Sequence, residues 1–241
     1  MNEKESNLVL SRIGFREREA LVSRGTALDI QHSKVLYELG DPITEVYFVR
    51  TGFASLIAAS DDEEVVEVAM VGKEAVLGAV LALGLERTPY RIVIPARASL
   101  LSVRAERFLE VFRGTGEFQS LMLRYLGYLV TQVTQAAACN TMHPIKPRLS
   151  KWLLICRYHL GSEELPLTQT FLSEMLGTSR TAVTLICAEL ARLRVIRQQR
   201  SRITILDPAK LEGLACPCYE SFRKEFMRFS AIQFETAAPT N

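Results

Sequence analysis

Apolar and polar positions alternate in short runs between Lys34 and Val103, the pattern of strands with one buried face. Five runs rich in β-branched and aromatic residues stand out: Val46–Val49, Ala54–Ala58, Val65–Ala69, Tyr90–Ile94 and Ser99–Val103. Turn-forming residues separate them at Gly40-Asp41-Pro42, Gly52, Asp61-Asp62, Gly72-Lys73 and Pro95. Strands spaced this closely predict an antiparallel barrel or roll. The Asp61–Glu64 run reads as a solvated hairpin tip.

After Gly116 the period lengthens to that of a helix. Phe118, Leu121, Met122, Tyr125, Leu129, Val133, Ala136 and Asn140 recur at three- and four-residue steps, with no Gly or Pro between Gly127 and Pro144. The pattern predicts one helix over Glu117–Met142, longer than the usual ~10–14 residues. One face of such a helix packs on its own barrel. The stripe Phe118, Met122, Tyr125, Leu129, Val133, Ala136 and Asn140 is read as a coiled-coil-like seam with a second copy. Pro144 and Pro147 end the helix and mark a domain boundary.

Beyond them, Arg148–Tyr158 is amphipathic, with Leu149, Trp152, Leu153 and Cys156 on one face. The segment LTQTFLSEMLGTSRTAVTLICAELARL then carries the most specific pattern in the chain. Thr168 can cap a first helix, Gln169–Leu176, and Gly177 follows where a chain reversing between helices needs positive φ. Thr178 or Ser179 caps a second helix. Ser173 is small where crossing helices approach, and Leu172, Leu176, Val183, Ile186 and Leu190 fill the apolar positions. Ser179, Arg180, Thr181 and Thr184 are left facing outward, as in a helix-turn-helix whose second helix meets base edges and phosphates. Val195-Ile196 and Ile203–Leu206 then read as two short strands around Arg197–Arg202, a wing whose tip arginines suit phosphate.

Charge supports this polarity. The whole chain carries +2, but residues from Pro144 onward hold 14 Lys+Arg against 9 Asp+Glu, and residues 1–143 hold 15 against 18. Only the C-terminal half is suited to a polyanion. A hydrophobic fraction of 48% with 23% charged residues describes a globular chain with a real core, and 241 residues leave room for two modest domains. The charged start MNEKESNLVLSRIG has no apolar signal core and no stretch is long enough to span a bilayer, so a cytoplasmic protein without membrane contact is expected. Five irregularly spaced cysteines do not form a disulfide framework. Cys216-Pro217-Cys218 has no second Cys/His pair at ligand spacing, so no metal and no cofactor are expected. His143 reads as a helix-end cap, and His32 and His159 have no evident partner.

These features resemble the Crp/Fnr superfamily over nearly the whole chain. The β-roll half rests on Gly40-Asp41, Tyr47-Phe48, Gly52, Gly72 and Gly78; the more specific half rests on Pro147-Arg148-Leu149, Trp152-Leu153, LPLTQTFLSEMLGTSR and the wing. The ending Ile203–Asp207 with Cys216-Pro217-Cys218-Tyr219 is similar to a branch whose signals are mostly undefined. The resemblance implies an α+β fold: an N-terminal antiparallel β-roll of cyclic-nucleotide-binding type, a long dimerisation helix and a C-terminal winged helix-turn-helix. Its domains would be 1–115, 116–144 and 145–241. The implied function is a bacterial, dimeric, DNA-binding transcription regulator reading an inverted-repeat operator, not an enzyme, with RNA polymerase an open partner and the small-molecule effector unknown.

Departures from the family pattern bear on the signal. Cyclic-AMP-binding relatives follow the glycine with a ribose-binding glutamate and then Arg-Ser or Arg-Thr for the phosphate. Here Ala79 follows Gly78, and Arg87-Thr88 lies two residues too close, so this effector pocket is expected not to hold a cyclic nucleotide. The N-terminal cysteines of the iron–sulfur relatives are missing too, since the first cysteine is Cys139. In the recognition helix Arg180 is followed by Thr181 rather than glutamate, and Leu185 stands where a second arginine is usual. Arg180 can still bind guanine bidentately, and an exposed Leu185 suits a thymine methyl. The candidate DNA contacts are Thr168, Gln169, Thr170, Ser179, Arg180, Thr181, Thr184, Arg200 and Arg202. Two rivals remain: a metal-dependent β-roll enzyme, for which the roll offers one histidine, His32, and a nucleotide- or redox-sensing module without direct DNA output.

Overall fold

The computed structural model of the chain describes residues 7–60, 64–114 and 116–231. Its N-terminal part begins with helix α1 (Phe15–Val22) and continues into eight strands: β1 (Thr26–Ile30), β2 (Lys34–Tyr37), β3 (Glu45–Thr51), β4 (Ala54–Ala59), β5 (Val65–Val71), β6 (Val76–Leu77), β7 (Arg91–Ile94) and β8 (Ala98–Arg104). They pair antiparallel in two four-stranded sheets, ordered β1-β8-β3-β6 and β2-β7-β4-β5. Alternate side chains such as Val46, Phe48, Leu56, Ile92 and Leu100 fill the space between the sheets and are almost fully buried. The expected hairpin tip falls largely outside the described residues, although Ser60 N–H donates to the Glu64 carbonyl at its base.

Helix α2 (Ala105–Gly114) and the long helix α3 (Gly116–Met142) close the roll. Phe118, Met122, Tyr125 and Leu129 enter the roll core with Phe108 and Phe112, and burying each such side chain is worth roughly 1.5–3 kcal/mol. This corrects the expected seam. Val133 packs against the same core, while Ala136 and Asn140 face an internal cleft shared with Glu67, Arg148 and Trp152. All seven stripe positions therefore lie on the intramolecular side of α3. The apolar stripe is the signature of a buried face, and the protomer itself occupies it, the roll core from Phe118 to Val133 and the cleft between roll and head at Ala136 and Asn140.

A two-residue joint, His143-Pro144, leads into α4 (Ile145–Leu160). Contrary to expectation, Pro147 ends no helix; it sits in the first turn of α4, where its missing N–H leaves no intrahelical bond unmade. The head then follows: β9 (Glu164–Leu165), α5 (Gln169–Leu176), α6 (Arg180–Arg192), β10 (Ile196–Gln199), β11 (Arg202–Ile205) and α7 (Pro208–Leu214), with α8 (Cys218–Ser230) last. One apolar core joins head to roll, with Phe53, Ile57, Met70 and Val93 from the roll against Trp152, Leu153 and Met175. Trp152 Nε1 donates to Glu67 Oε1 of β5 at 2.8 Å. Gly72 is required at this seat, because a Cβ there would run into the His159 ring. His159, for which the sequence suggests no partner, is half-buried with its ring packed among Phe53, Phe222 and Phe226, and this desolvation pushes its pKa down to about 3.

Helix α8 leaves the head and returns to the roll. Phe226 and Phe229 join the roll core, Phe229 stacks on Tyr128 at 5.1 Å, and Arg12 Nη1 donates to the Phe229 carbonyl. No helix among the described residues is long and apolar enough to cross a membrane.

Candidate nucleic-acid interface

Local chemistry sets the geometry of the reading head. Thr168 ends the preceding extended segment, and its Oγ1 accepts from Phe171 N–H at 3.1 Å, satisfying a donor that the first turn of α5 would otherwise leave bare. Gly177 caps the other end with φ +56°, and Thr178 N–H reaches back to the Ser173 carbonyl. Ser179 Oγ then accepts from Ala182 N–H at 3.2 Å and starts α6. Leu172, Leu176, Val183, Cys187 and Leu190 lock the two helices into the core, so the direction of α6 is fixed by packing.

What this packing leaves outside is a polar face with one large apolar side chain. Arg180, Thr181, Thr184 and Arg192 are exposed, and Leu185 is 68% exposed. Arg180 has no side-chain partner among the described residues. Thr184 Oγ1 lies 2.8 Å from Gln169 Oε1 and 2.9 Å from the Arg180 carbonyl, so Gln169 is braced against α6 rather than left free. Thr168 and Thr170 are exposed at the start of α5.

The wing pairs β10 with β11 antiparallel, from Ile196↔Ile205 to Gln199↔Arg202. Arg200 points to solvent at its tip, and Arg197 does so nearer its base. Arg202 differs from expectation: its Nη1 is 2.7 Å from Glu164 Oε2, a half-exposed ion pair between β11 and β9. A two-residue strand gives too little pattern to announce itself, so sequence reasoning missed both Glu164 and the pair. Arg194, directly after α6, holds φ +57°, a left-handed conformation usually left to glycine.

In the roll, the four expected effector-pocket residues are turned onto their own chain. Gly78 takes φ +90° and opens a 3₁₀ turn over Ala79–Leu83, with Ala79 only 1% exposed in the core. Arg87 Nη1 donates to the Gly40 carbonyl at 2.8 Å, and Thr88 Oγ1 donates to the Tyr90 carbonyl at 2.6 Å. The expectation that Cys216 and Cys218 lack a second Cys/His pair is overturned. Cys139 and His143, at the end of α3, stand against them, and the four ligand atoms lie within 4.8 Å of one another. The Cys139-x₃-His143 spacing, one helical turn, was the sequence signal for this pair.

A helix-turn-helix with a wing, seated on a closed β-roll through a long helix, defines the class of one-component DNA-binding regulators. Comparison with known proteins narrows the class. Residues 147–214 match the model of the Crp-like helix-turn-helix domain, and residues 28–115 match that of the cyclic nucleotide-binding domain. Curated relatives include the global nitrogen regulators of Nostoc sp., 25% identical over 190 residues (75% of this chain, 85% of the relative), and of Synechococcus elongatus, 24% identical over 190 residues (75% and 86%). Among solved structures, FixK2 from Bradyrhizobium japonicum superposes with TM-score 0.66 at 14% identity, over 80% of this chain and 98% of that one. A CRP-family transcriptional regulator from Thermus thermophilus gives 0.65 at 16% identity, over 87% and 100%. The chain belongs to the Crp/Fnr superfamily and is a DNA-binding regulator of that type. The family and the relatives are transcription regulators.

Proposed function

We propose that the chain works as a homodimer that reads an inverted-repeat operator through α6. The observation that carries this reading is the outward face of α6, where Arg180, Thr181, Thr184 and Leu185 are exposed while Val183, Ile186, Cys187 and Leu190 are used in packing. Arg180 contacts guanine O6 and N7, Leu185 packs on a thymine methyl, and Ser179 with Thr168 and Thr170 meets the backbone. Arg200 grips phosphate from the wing. Two recognition helices would then lie about one turn of DNA, ~34 Å, apart.

The second copy docks on the free face of α3. Leu123, Gly127, Val130, Thr134, Ala137 and Thr141 follow one another at alternating steps of four and three, and none of them is buried. Leu123 and Val130 are 49% and 62% exposed, and a Cβ on Gly127 would meet nothing. That is the a/d repeat of a two-stranded coil, with small residues that permit close approach. This face was hidden from the pattern because glycine, alanine and threonine carry little hydrophobic contrast. Residues 1–115 form the sensing unit, 116–144 the dimer helix and joint, and 145–241 the DNA-binding part, with α8 returning to the roll.

The roll senses something other than a cyclic nucleotide. Ala79 offers no acceptor to a ribose hydroxyl, and Arg87 is committed to the Gly40 carbonyl. Calorimetry with cyclic AMP should give no tight binding; a micromolar Kd would overturn this. For the main reading, the full-length protein is mixed with fragmented DNA and the retained fragments are sequenced. Enrichment of a common inverted repeat is the expected result, and retention without sequence preference sinks it.

A further inference from the structure

We propose that Cys139, His143, Cys216 and Cys218 form a closed tetrahedral site for one Zn²⁺ ion, at the joint between the long helix and the reading head. Two separate stretches of chain build it. Cys139 and His143 lie one turn apart at the end of α3, so their side chains share a face. Cys216 and Cys218 flank Pro217 at the start of α8, and Cys216 N–H is tied to the Pro147 carbonyl.

The spacing is that of ligands around a single ion. With Zn–S about 2.3 Å and Zn–N about 2.0–2.1 Å, a regular tetrahedron has S···S edges near ~3.8 Å and S···N edges near ~3.5 Å. Cys139 Sγ lies 3.6 Å from Cys216 Sγ, and Cys218 Sγ lies 3.5 Å from His143 Nδ1. All four ligand atoms fall within 4.8 Å of one another, which leaves room for one ion and none for a cluster that spreads its ligands over several irons. At 3.6 Å the two sulfurs are also far from the ~2.05 Å of a disulfide.

The surroundings distinguish this group from cysteines that merely fill a core. Cys156 and Cys187 are embedded in the large head cluster, among leucines, isoleucines and Trp152. Cys139, Cys216 and Cys218 instead form a buried cluster of their own, with no other apolar member. Polar donors are aimed at it: Lys151 Nζ sits 3.4 Å from Cys139 Sγ, and Gln135 Nε2 donates to Cys218 Sγ at 3.1 Å. Such bonds suit thiolates and orient metal ligands from behind. Three thiolates and a neutral imidazole around Zn²⁺ carry a net −1, which the Lys151 ammonium offsets. The soft, sulfur-rich tetrahedral donor set selects zinc over magnesium or calcium. Four protein ligands leave no open position, so the ion is a clamp, holding α8 to the end of α3 across the His143-Pro144 joint.

Any effect of the clamp on operator binding rests on the DNA-binding reading above; the site itself is tested without DNA. The full-length protein, freed of any histidine tag and purified without chelators, should contain about one zinc per chain. Its zinc X-ray absorption should fit three sulfurs and one nitrogen. Cys218→Ser and His143→Ala should each lose most of the metal, while Cys156→Ser and Cys187→Ser retain it. Because a ligand variant can misfold, the wild type is also stripped and refilled with Co²⁺, where an intense tetrahedral thiolate spectrum with one equivalent is expected. Three outcomes overturn the proposal: protein that is metal-free as isolated and gives no tetrahedral cobalt spectrum, an iron–sulfur chromophore, or a Cys139–Cys216 disulfide in freshly isolated protein.

Discussion

The two ends of this molecule treat their polar groups in opposite ways. At the roll's expected pocket, Arg87 and Thr88 are bonded to backbone carbonyls of the roll itself and Ala79 is sealed into the core. At the head, Arg180 and Arg200 have no side-chain partner among the described residues and stand in solvent. A polar group already satisfied within its own chain gains little from a ligand, whereas exposed, unpaired cations held on a rigid helix and hairpin are ready for one. At one end the roll spends Arg87, Thr88 and Ala79 on its own packing, while the other end presents free cations suited to DNA.

The most drastic way to break this comparison leaves both ends intact and separates the copies. Val130→Glu places a charge on the free face of α3 without touching the roll core. Sedimentation should show a monomer, and affinity for the inverted repeat should fall by about 100-fold or more, because the second half-site is no longer delivered at high effective concentration. Met122→Asp on the opposite face should instead unfold the roll. If Val130→Glu stays dimeric, the seam lies elsewhere.

Next in size is the direct contrast between the two arginines. Arg180→Ala should cost ~1–3 kcal/mol on the cognate site and relax preference at one base pair per half-site. Arg87→Ala should leave DNA binding unchanged. Titration of both variants against cognate and scrambled duplexes decides it, and an Arg180→Ala protein with full discrimination would refute the placement of α6.

The seat between the two ends carries its own titration. Glu67 and Glu74 are buried, and burial pushes each carboxyl up to about 7. Glu67 faces Ser55, Trp152 and the more distant Lys151, with Cys156 nearby; Glu74 faces Gly72 N–H, Tyr128 and Lys73. A carboxyl whose folded pKa lies above its unfolded value binds more protons when folded. Its contribution is therefore fully present below about 4.5 and is lost as pH rises through about 7. Denaturant melts should show stability falling over that window, and Glu67→Gln should remove about 1–3 kcal/mol of the fall. A Glu67→Gln protein with an unchanged slope would show that Glu67 is ionised in the seat.

Legibility in the sequence followed the range of the interaction. Thr168, Gly177 and Ser179 act on neighbours three to five residues away, so the limits of α5 and the start of α6 could be read directly. The strands β3, β4, β5, β7 and β8 announced themselves by alternation, whereas β6 and β9, two residues each, were too short to do so. A helical stripe reports that a face is buried but not by what; hence Phe118 to Asn140 suggested a partner copy when their partner is the protomer itself. The Cys139/His143 pair meets Cys216/Cys218 across some seventy-five residues of chain, a closure that only the packing of α8 on α3 brings about.

The smallest effects lie in the wing, where one arginine is free and its neighbour is already paired. Arg200→Ala should weaken binding to all sequences about equally and make the salt dependence shallower by about one unit, since one fewer phosphate is neutralised. Arg202 begins with Glu164 at 2.7 Å, and an exposed pair of this kind is worth about 0–1 kcal/mol. DNA must therefore compete with Glu164 for this guanidinium, and Arg202→Ala should cost less than Arg200→Ala. The carboxylate itself then becomes a brake on binding. Removing it by Glu164→Ala should tighten binding by a few tenths of a kcal/mol up to ~1 kcal/mol and steepen the salt dependence. Both gains should vanish when Arg202 is also alanine, since the carboxylate acts through that side chain. A Glu164→Ala gain that persists in the Arg202→Ala background would mean Glu164 repels phosphate directly, and that Arg202 takes no part in gripping DNA.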